Sequence, residues 1–304
     1  MSKKIHLIHS DEYKNWIFDK NHPTQGRRFT NALNLLRNAS EVGEFELIEV
    51  EPRLATREEL ARVHATSYIH EVLDHHMTSE WPGARPDLSY LAQLFVGGTL
   101  TALDLLISGE SKLAVNLPGA KHHAQYDHAS GFCVFNDFAI AADIAAKDYG
   151  KNVLIIDIDG HHGDGTENLM RQNLQVITCS VHQINIFPGT GLGMHDGDFY
   201  NFPLEAGEGD ERLLSGINYF IRKLEYLRWD YQWVPDMLFI AAGADGHSDD
   251  PLTRLEYTDE GYIRVAALLK EHFGQLPMLV GGAGGYLPDS KTPEIWTKFI
   301  GELF

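Results

Sequence analysis

Cysteine is nearly absent: only Cys133 and Cys179 occur in 304 residues. Two thiols cannot staple a small secreted scaffold, and no CxxC spacing marks a redox or zinc-ribbon site. Basic residues are also short, 25 Lys and Arg against 43 Asp and Glu, for a formal net charge of −18. Such a field repels phosphate backbones, which argues against nucleic-acid binding and favours neutral or cationic partners. No repeat, low-complexity tract or Pro/Ser-rich linker divides the chain, so one domain is expected over residues 1–304. The start, Met1-Ser2-Lys3-Lys4-Ile5-His6-Leu7-Ile8, lacks the apolar region of a secretory signal. No apolar run approaches the roughly 20 residues that cross a bilayer. The expectation is a cytoplasmic protein with no membrane partner; oligomeric state stays open.

What the chain does have is a hydrophobic share of 43%, inside the globular range, distributed as short apolar runs alternating with longer segments of helical period. Strands are expected at residues 5–9, 45–50, 113–117, 153–158, 175–181, 237–242 and 277–281. Between them, Leu91, Leu94, Phe95, Gly98, Ala102, Leu105 and Leu106 follow helical spacing, as do Leu213, Ile217, Phe220, Ile221 and Leu224. Thr258-Asp259-Glu260 reads as an N-cap followed by first-turn acids, and the alanine-rich stretch 136–147 as a helix lying close on a sheet. Val153-Leu154-Ile155-Ile156 is continuously apolar, as in a strand covered on both faces. The pattern predicts a single α/β domain with a mostly parallel sheet flanked by helices.

The polar residues collect after the strands. Lys121-His122-His123 follows one, and Asp157-Ile158-Asp159-Gly160-His161-His162-Gly163-Asp164-Gly165 another. Ser180-Val181-His182, Gly243-Ala244-Asp245 and Gly281-Gly282-Ala283-Gly284-Gly285-Tyr286 close three more. In open parallel sheets, ligands bind outside the carboxyl ends of the strands. Residues two apart at a strand end point the same way, so Asp157, Asp159 and His161 converge, and crowded carboxylates call for a cation. A donor set of Asp and His without thiolates suits a divalent ion such as Zn²⁺, with Fe²⁺ as an alternative for mixed N/O ligands. Asp159 and His161 supply two ligands, and Asp245 on a neighbouring strand end is the best third. Neighbouring histidines seldom share one metal, so His122-His123 reads as acid–base machinery, with Asp157 and Asp164 as spare carboxylates to orient the rings. No GxxxxGK[ST] or GxGxxG pattern makes the glycines a phosphate cradle.

Taken in order, Lys121-His122-His123-Ala124, Ala129-Ser130-Gly131-Phe132-Cys133, the 157–165 stretch, Phe187-Pro188-Gly189-Thr190-Gly191, Gly243-Ala244-Asp245 and Gly282-Ala283-Gly284-Gly285-Tyr286 resemble the motifs of zinc-dependent histone deacetylases. The likeness is to bacterial members, acetoin-utilisation deacetylases and acetylpolyamine amidohydrolases among them, and extends from about Pro23 to Tyr286. It implies the arginase/deacetylase fold with an eight-stranded sheet, and zinc on Asp159, His161 and Asp245. It implies His123 as general base and acid backed by Asp164, His122 backed by Asp157 as electrostatic partner, and Tyr286 as oxyanion donor. Phe132 and Phe187 become tunnel walls, with Gly131 and Leu252 nearby. A structural K⁺ is implied on the Asp157 and Ser180 side chains and the carbonyls of Asp159, His161 and Val181. Asp87 is a candidate for the family's rim aspartate. Leu252 stands where polyamine-selective relatives carry a glutamate. The function so implied is removal of an acyl group, acetyl first, from acyl-lysine or a similarly slender amine. An acetylpolyamine or other small-molecule amidohydrolase is the alternative. An arginase-like ureohydrolase lacks its bridging carboxylates here, because Gly163 and His247 occupy those positions, and a silent binding module would need no proton machinery.

Overall fold

The apolar run at Val153 forms a strand buried along its whole length, and the other strands assemble beside it. In a computed structural model describing residues 3–194 and 199–303, strands and helices alternate along the chain. They are β1 (Lys4–Ile8), α1 (Arg27–Glu41), β2 (Glu46–Val50), α2 (Arg57–Leu60), α3 (Thr66–Asp74), α4 (Pro86–Ile107), β3 (Leu113–Asn116), α5 (Asp137–Tyr149) and β4 (Val153–Asp157). There follow α6 (Asp164–Met170), β5 (Val176–Gln183), β6 (Phe199–Leu204), α7 (Asp210–Tyr231), β7 (Met237–Ala241), α8 (Asp259–Phe273), β8 (Met278–Gly281) and α9 (Lys291–Glu302). Met1 and Ser2 of the start, and residues 195–198 and 304 of the expected domain, lie outside the described residues.

All eight strands are parallel, in the order β2-β1-β3-β8-β7-β4-β5-β6. Composition and period alone yield seven of them. β6, Phe-Tyr-Asn-Phe-Pro-Leu, was missed because it carries neither β-branched residues nor a clean alternation. It lies at the sheet edge beside β5, where Pro203 interrupts no ladder on its open side.

The helix starts follow local chemistry. Asn136 caps α5 by accepting from the Ala139 N–H, and Thr258 caps α8 by accepting from Gly261. The alanines of α5 let it lie close to the sheet, with most of its residues buried. One expectation needs correcting. α4 is 22 residues long and contains an 18-residue window of mean hydropathy 1.5, long and apolar enough by composition to span a bilayer. Ser89, Gln93 and the Gly97-Gly98-Thr99 step break its apolar run in the sequence, yet together they leave the helix hydrophobic overall. It is a core helix here, two-thirds buried and packed on β3 and α5. Gly97 is required where α4 passes the loop after β2, since a Cβ there would collide with the Arg53 carbonyl.

Four adjacent central strands, β3, β8, β7 and β4, carry the unusual polar residues at their carboxyl ends. Because every strand runs the same way, the four following loops meet on one edge of the sheet.

Candidate active site

The loop after β4 brings Asp159 and His161 against Asp245 from the loop after β7. One donor atom from each lies within 4.8 Å of the others, and all three residues are buried. His161 Nδ1 is 2.7 Å from Asp245 Oδ2 and 3.4 Å from Asp159 Oδ1. Backbone donors aim the carboxylates: Gly160 N–H donates to Asp245 Oδ1 at 2.7 Å, and Gly284 N–H to Asp159 Oδ2 at 2.6 Å. A Cβ at Gly284 would sit 2.6 Å from that same Asp159 oxygen, so the approach requires glycine.

The electrostatics are those of a cation site. Burial opposes a charge on His161, but Asp159 and Asp245 outweigh it and raise the ring to about 10. Asp245 is pushed up to about 6 by burial and by the Asp159 charge, while the cationic rings beside Asp159 outweigh its burial and hold it below the usual carboxylate range. Two carboxylates thus keep a proton on His161 Nδ1, the nitrogen that faces them both. A divalent ion would take the place of that proton, as ligation of a histidine requires. The donor set of two oxygens and one nitrogen fits such an ion.

The histidine pair follows β3. Its loop is fastened from below by Asp137, whose carboxylate accepts from the Ala120 and Lys121 N–H groups at 3.0 and 2.7 Å. His122 Nδ1 lies 2.7 Å from Asp157 Oδ2, and His123 Nδ1 2.7 Å from Asp164 Oδ1. Gln125 Nε2 donates to the other Asp164 oxygen at 2.9 Å. The rings are 4.0 Å apart by centroid, so they share one environment but not one charge state. Burial disfavours the His122 cation, yet Asp157 and Asp159 prevail and raise it to about 9. Burial and the His122 charge press His123 down to about 4, against the pull of Asp164. At neutral pH, His123 is therefore neutral and free to take a proton beside a cationic neighbour.

Tyr286 lies at the far side, after β8. Burial and the Asp245 and Asp159 charges hold its phenol well above the usual value, so it stays a proton donor. Phe187, 49% exposed, stacks edge-on with His123 at 4.9 Å, and Phe132 with Tyr286 at 6.1 Å. Gly131 adopts φ +55°, and a Cβ there would meet His123 Cδ2 at 2.5 Å. Leu252 is 36% exposed on the loop beyond Asp245. Behind the reaction edge, Arg28 and Lys121 line a small cavity with His122, His123, Cys133 and Tyr286. Burial lowers Lys121 to about 8, with the Arg28 charge adding to the effect.

Asp157 and Ser180 face each other in register on β4 and β5. The Ser180 hydroxyl lies 2.9 Å from His182 Nδ1, and Asp157 Oδ1 accepts from the Asp159 N–H at 3.0 Å. Asp87 is paired with Arg85 through both oxygens. Glu80 accepts from the Phe132 N–H at 2.8 Å, a contact that sequence reasoning passed over. Asp137 was passed over too, its place at a helix start being the only local signal. Arg28 lies inside the stretch that resembles the family, from Pro23 onward, but was given no role.

Comparison with known proteins agrees with the geometry. The histone deacetylase domain family matches residues 22–303. The acetoin utilization protein AcuC of Bacillus subtilis is 33% identical, the match covering 98% of this chain and 81% of that protein. Histone deacetylase 8 of Xenopus tropicalis is 32% identical over 83% of this chain and 72% of its own. The crystal structure of the HDA15 HD domain superposes with a TM-score of 0.83 at 27% identity, covering 98% of this chain and 90% of that one. The chain has the arginase/deacetylase fold. It belongs to the histone deacetylase family of amide hydrolases.

Proposed function

We propose that the protein is a metal-dependent deacetylase that hydrolyses the N-acetyl amide of a slender amine, with acetyl-lysine as the model of its substrate class. The observation that carries this reading is the convergence of three elements. A buried Asp159–His161–Asp245 donor set, a neutral His123 oriented by Asp164, and a protonated Tyr286 lie on one sheet edge. The residues proposed to hold Zn²⁺, or Fe²⁺ in its place, are Asp159, His161 and Asp245. Bound there, the ion would supply Lewis-acid polarisation of the amide carbonyl.

The rest is the work of the chain. His123 Nε2 accepts the proton of the attacking water and later delivers it to the leaving amine nitrogen. Asp164 fixes the ring through Nδ1. His122, held cationic by Asp157, keeps His123 from taking a proton before the reaction and stabilises negative charge as it develops. The Tyr286 hydroxyl donates to the carbonyl oxygen as it gains charge. Phe132 and Phe187 flank the entry as apolar walls suited to an alkyl arm, and the −18 net charge favours an arm on a cationic carrier. A structural K⁺ is proposed on Asp157, Ser180 and the carbonyls of Asp159, His161 and Val181. The proposed compartment is the cytoplasm, in keeping with two free, buried thiols.

The test is turnover of a fluorogenic acetyl-lysine peptide before and after chelation, with Zn²⁺ or Fe²⁺ added back and N-acetylpolyamines as a comparison arm. Metal-restored cleavage of the peptide is expected. Undiminished cleavage by metal-stripped protein overturns the metal role, and exclusive cleavage of the polyamines overturns the substrate class.

A further inference from the structure

Asp250 is a buried carboxylate to which the chemistry above assigns no task. It is 6% exposed, no Lys, Arg or His among the described residues is found in an ion pair with it, and burial raises its pKa to about 7. Burying a charge in this way is costly unless its hydrogen bonds compensate. Both oxygens accept from backbone. Oδ2 takes the Tyr286 N–H at 2.8 Å, and Oδ1 takes the Leu252 N–H at 3.0 Å. The Tyr286 N–H belongs to the peptide unit whose carbonyl is that of Gly285. That carbonyl accepts from Arg28 Nη1 at 2.7 Å, and Arg28 is 2% exposed. One peptide plane is therefore held at both ends by buried side chains, a carboxyl oxygen of Asp250 on its N–H and the Arg28 guanidinium on its C=O.

The position explains the need. Gly285 has φ +135° and no room for a Cβ, which would meet Thr292 Cγ2 at 2.6 Å. Glycine is obligatory there, and it leaves the following peptide plane freer to rotate than any other residue would. Rotation of that plane swings the Tyr286 Cα–Cβ bond and moves the phenol off its line to the reacting carbonyl.

We propose that Asp250 is the positioning residue for Tyr286, acting with Arg28 as a two-ended clamp on the Gly285–Tyr286 peptide, and that it ties this loop to the Leu252 loop at the rim. The inference rests on the deacetylase reading above.

The experiment is a double-mutant cycle on the metal-loaded enzyme, with kcat and KM measured on the acetyl-lysine peptide. Asp250→Asn can accept at only one oxygen and turns an NH₂ toward the other N–H. It is expected to lower kcat on the order of 10²-fold, the usual cost of misplacing a catalytic group by about 1 Å, with metal content unchanged. In the Tyr286→Phe background the same substitution should cost less than about threefold more, because a residue acting through the phenol has nothing left to act on. The change in KM, which reports Leu252, should persist in both backgrounds. If Asp250→Asn does not fold, Asp250→Glu enters the same cycle, retaining the charge but displacing it by one methylene. A full multiplicative loss in the double variant, or wild-type kcat in the single one, overturns the inference while leaving the deacetylase reading intact. A wild-type enzyme without turnover overturns both.

Discussion

Gly131→Ala tests whether the proposed base is held as tightly as the structure shows. The new Cβ would stand 2.5 Å from His123 Cδ2 and 2.9 Å from Phe187 Cε1. Ordinary contact begins near 3.4 Å, so the ring or the 131–132 backbone must give way by about 0.9 Å. His123 cannot yield freely, because its Nδ1 is hydrogen-bonded to Asp164, which Gln125 holds in turn. The backbone resists as well: φ of +55° costs a residue with a Cβ roughly 1–2 kcal/mol. Overpacking adds roughly 1–3 kcal/mol, for a total of about 2–5 kcal/mol. For a domain of 304 residues that is a fall in Tm on the order of 3–8 °C. If His123 absorbs the movement, kcat drops on the order of 10²-fold, since proton transfer depends steeply on placement. The assays are a thermal melt and steady-state kinetics on the acetyl-lysine peptide, with Gly131→Ser as a second bulk. An alanine variant within about threefold of wild-type kcat/KM and about 2 °C of its Tm would show that neither the ring nor the loop is confined as described.

Other expectations follow from the same geometry. Tyr286→Phe should fold and retain its metal yet lose about 10²–10³ in kcat, roughly 3–4 kcal/mol; near-normal turnover would remove the phenol from the reaction. His161→Ala should bind no stoichiometric divalent ion by elemental analysis, and chelation should lower the Tm of the wild type far more than that of this variant. His64 predicts a pH dependence of stability. It is buried, with Nδ1 on the Gln125 carbonyl at 2.8 Å and Nε2 accepting the Asn136 N–H at 2.9 Å, and burial lowers its pKa to about 4. The unfolded chain protonates first, so the contribution is intact above about 6.5 and lost as pH falls from 6.5 to 4, a loss of about 3 kcal/mol. Denaturant midpoints measured across that window should fall, and more steeply in wild type than in His64→Gln; parallel curves would count against it.

Most of the central architecture was legible because each level of the pattern agreed with the next. The 153–158 run gave β4, the apolar spacing at Leu213 and Ile217 gave α7, and Thr258 marked the start of α8. β6 escaped because an edge strand with Asn201 and Pro203 is stabilised by its single neighbour β5 and by burial, neither of which is a local property. That α4 is apolar over a bilayer-spanning length was missed because small and hydroxyl-bearing residues interrupt a run of apolar letters without making a helix polar.

The site divides along the same line. Motif order and strand-end position placed Asp159, His161, Asp245, the histidine pair and Tyr286 at one edge, since parallel strands oblige the loops after them to share a side. Residues that hold those groups in place were assigned no role, although Arg28 and Asp250 lie within the stretch that resembles the family. Glu80, Arg28 and Asp250 come from distant segments and act on backbone atoms, on Phe132 N–H, Gly285 C=O and Tyr286 N–H. A backbone group is the same at every residue, so nothing in the order of side chains reveals which one a remote charge will find. The sequence by itself determined which chemistry collects at the sheet edge, and only the tertiary structure decided how each group is aimed, because aim depends on contacts between segments far apart in the chain.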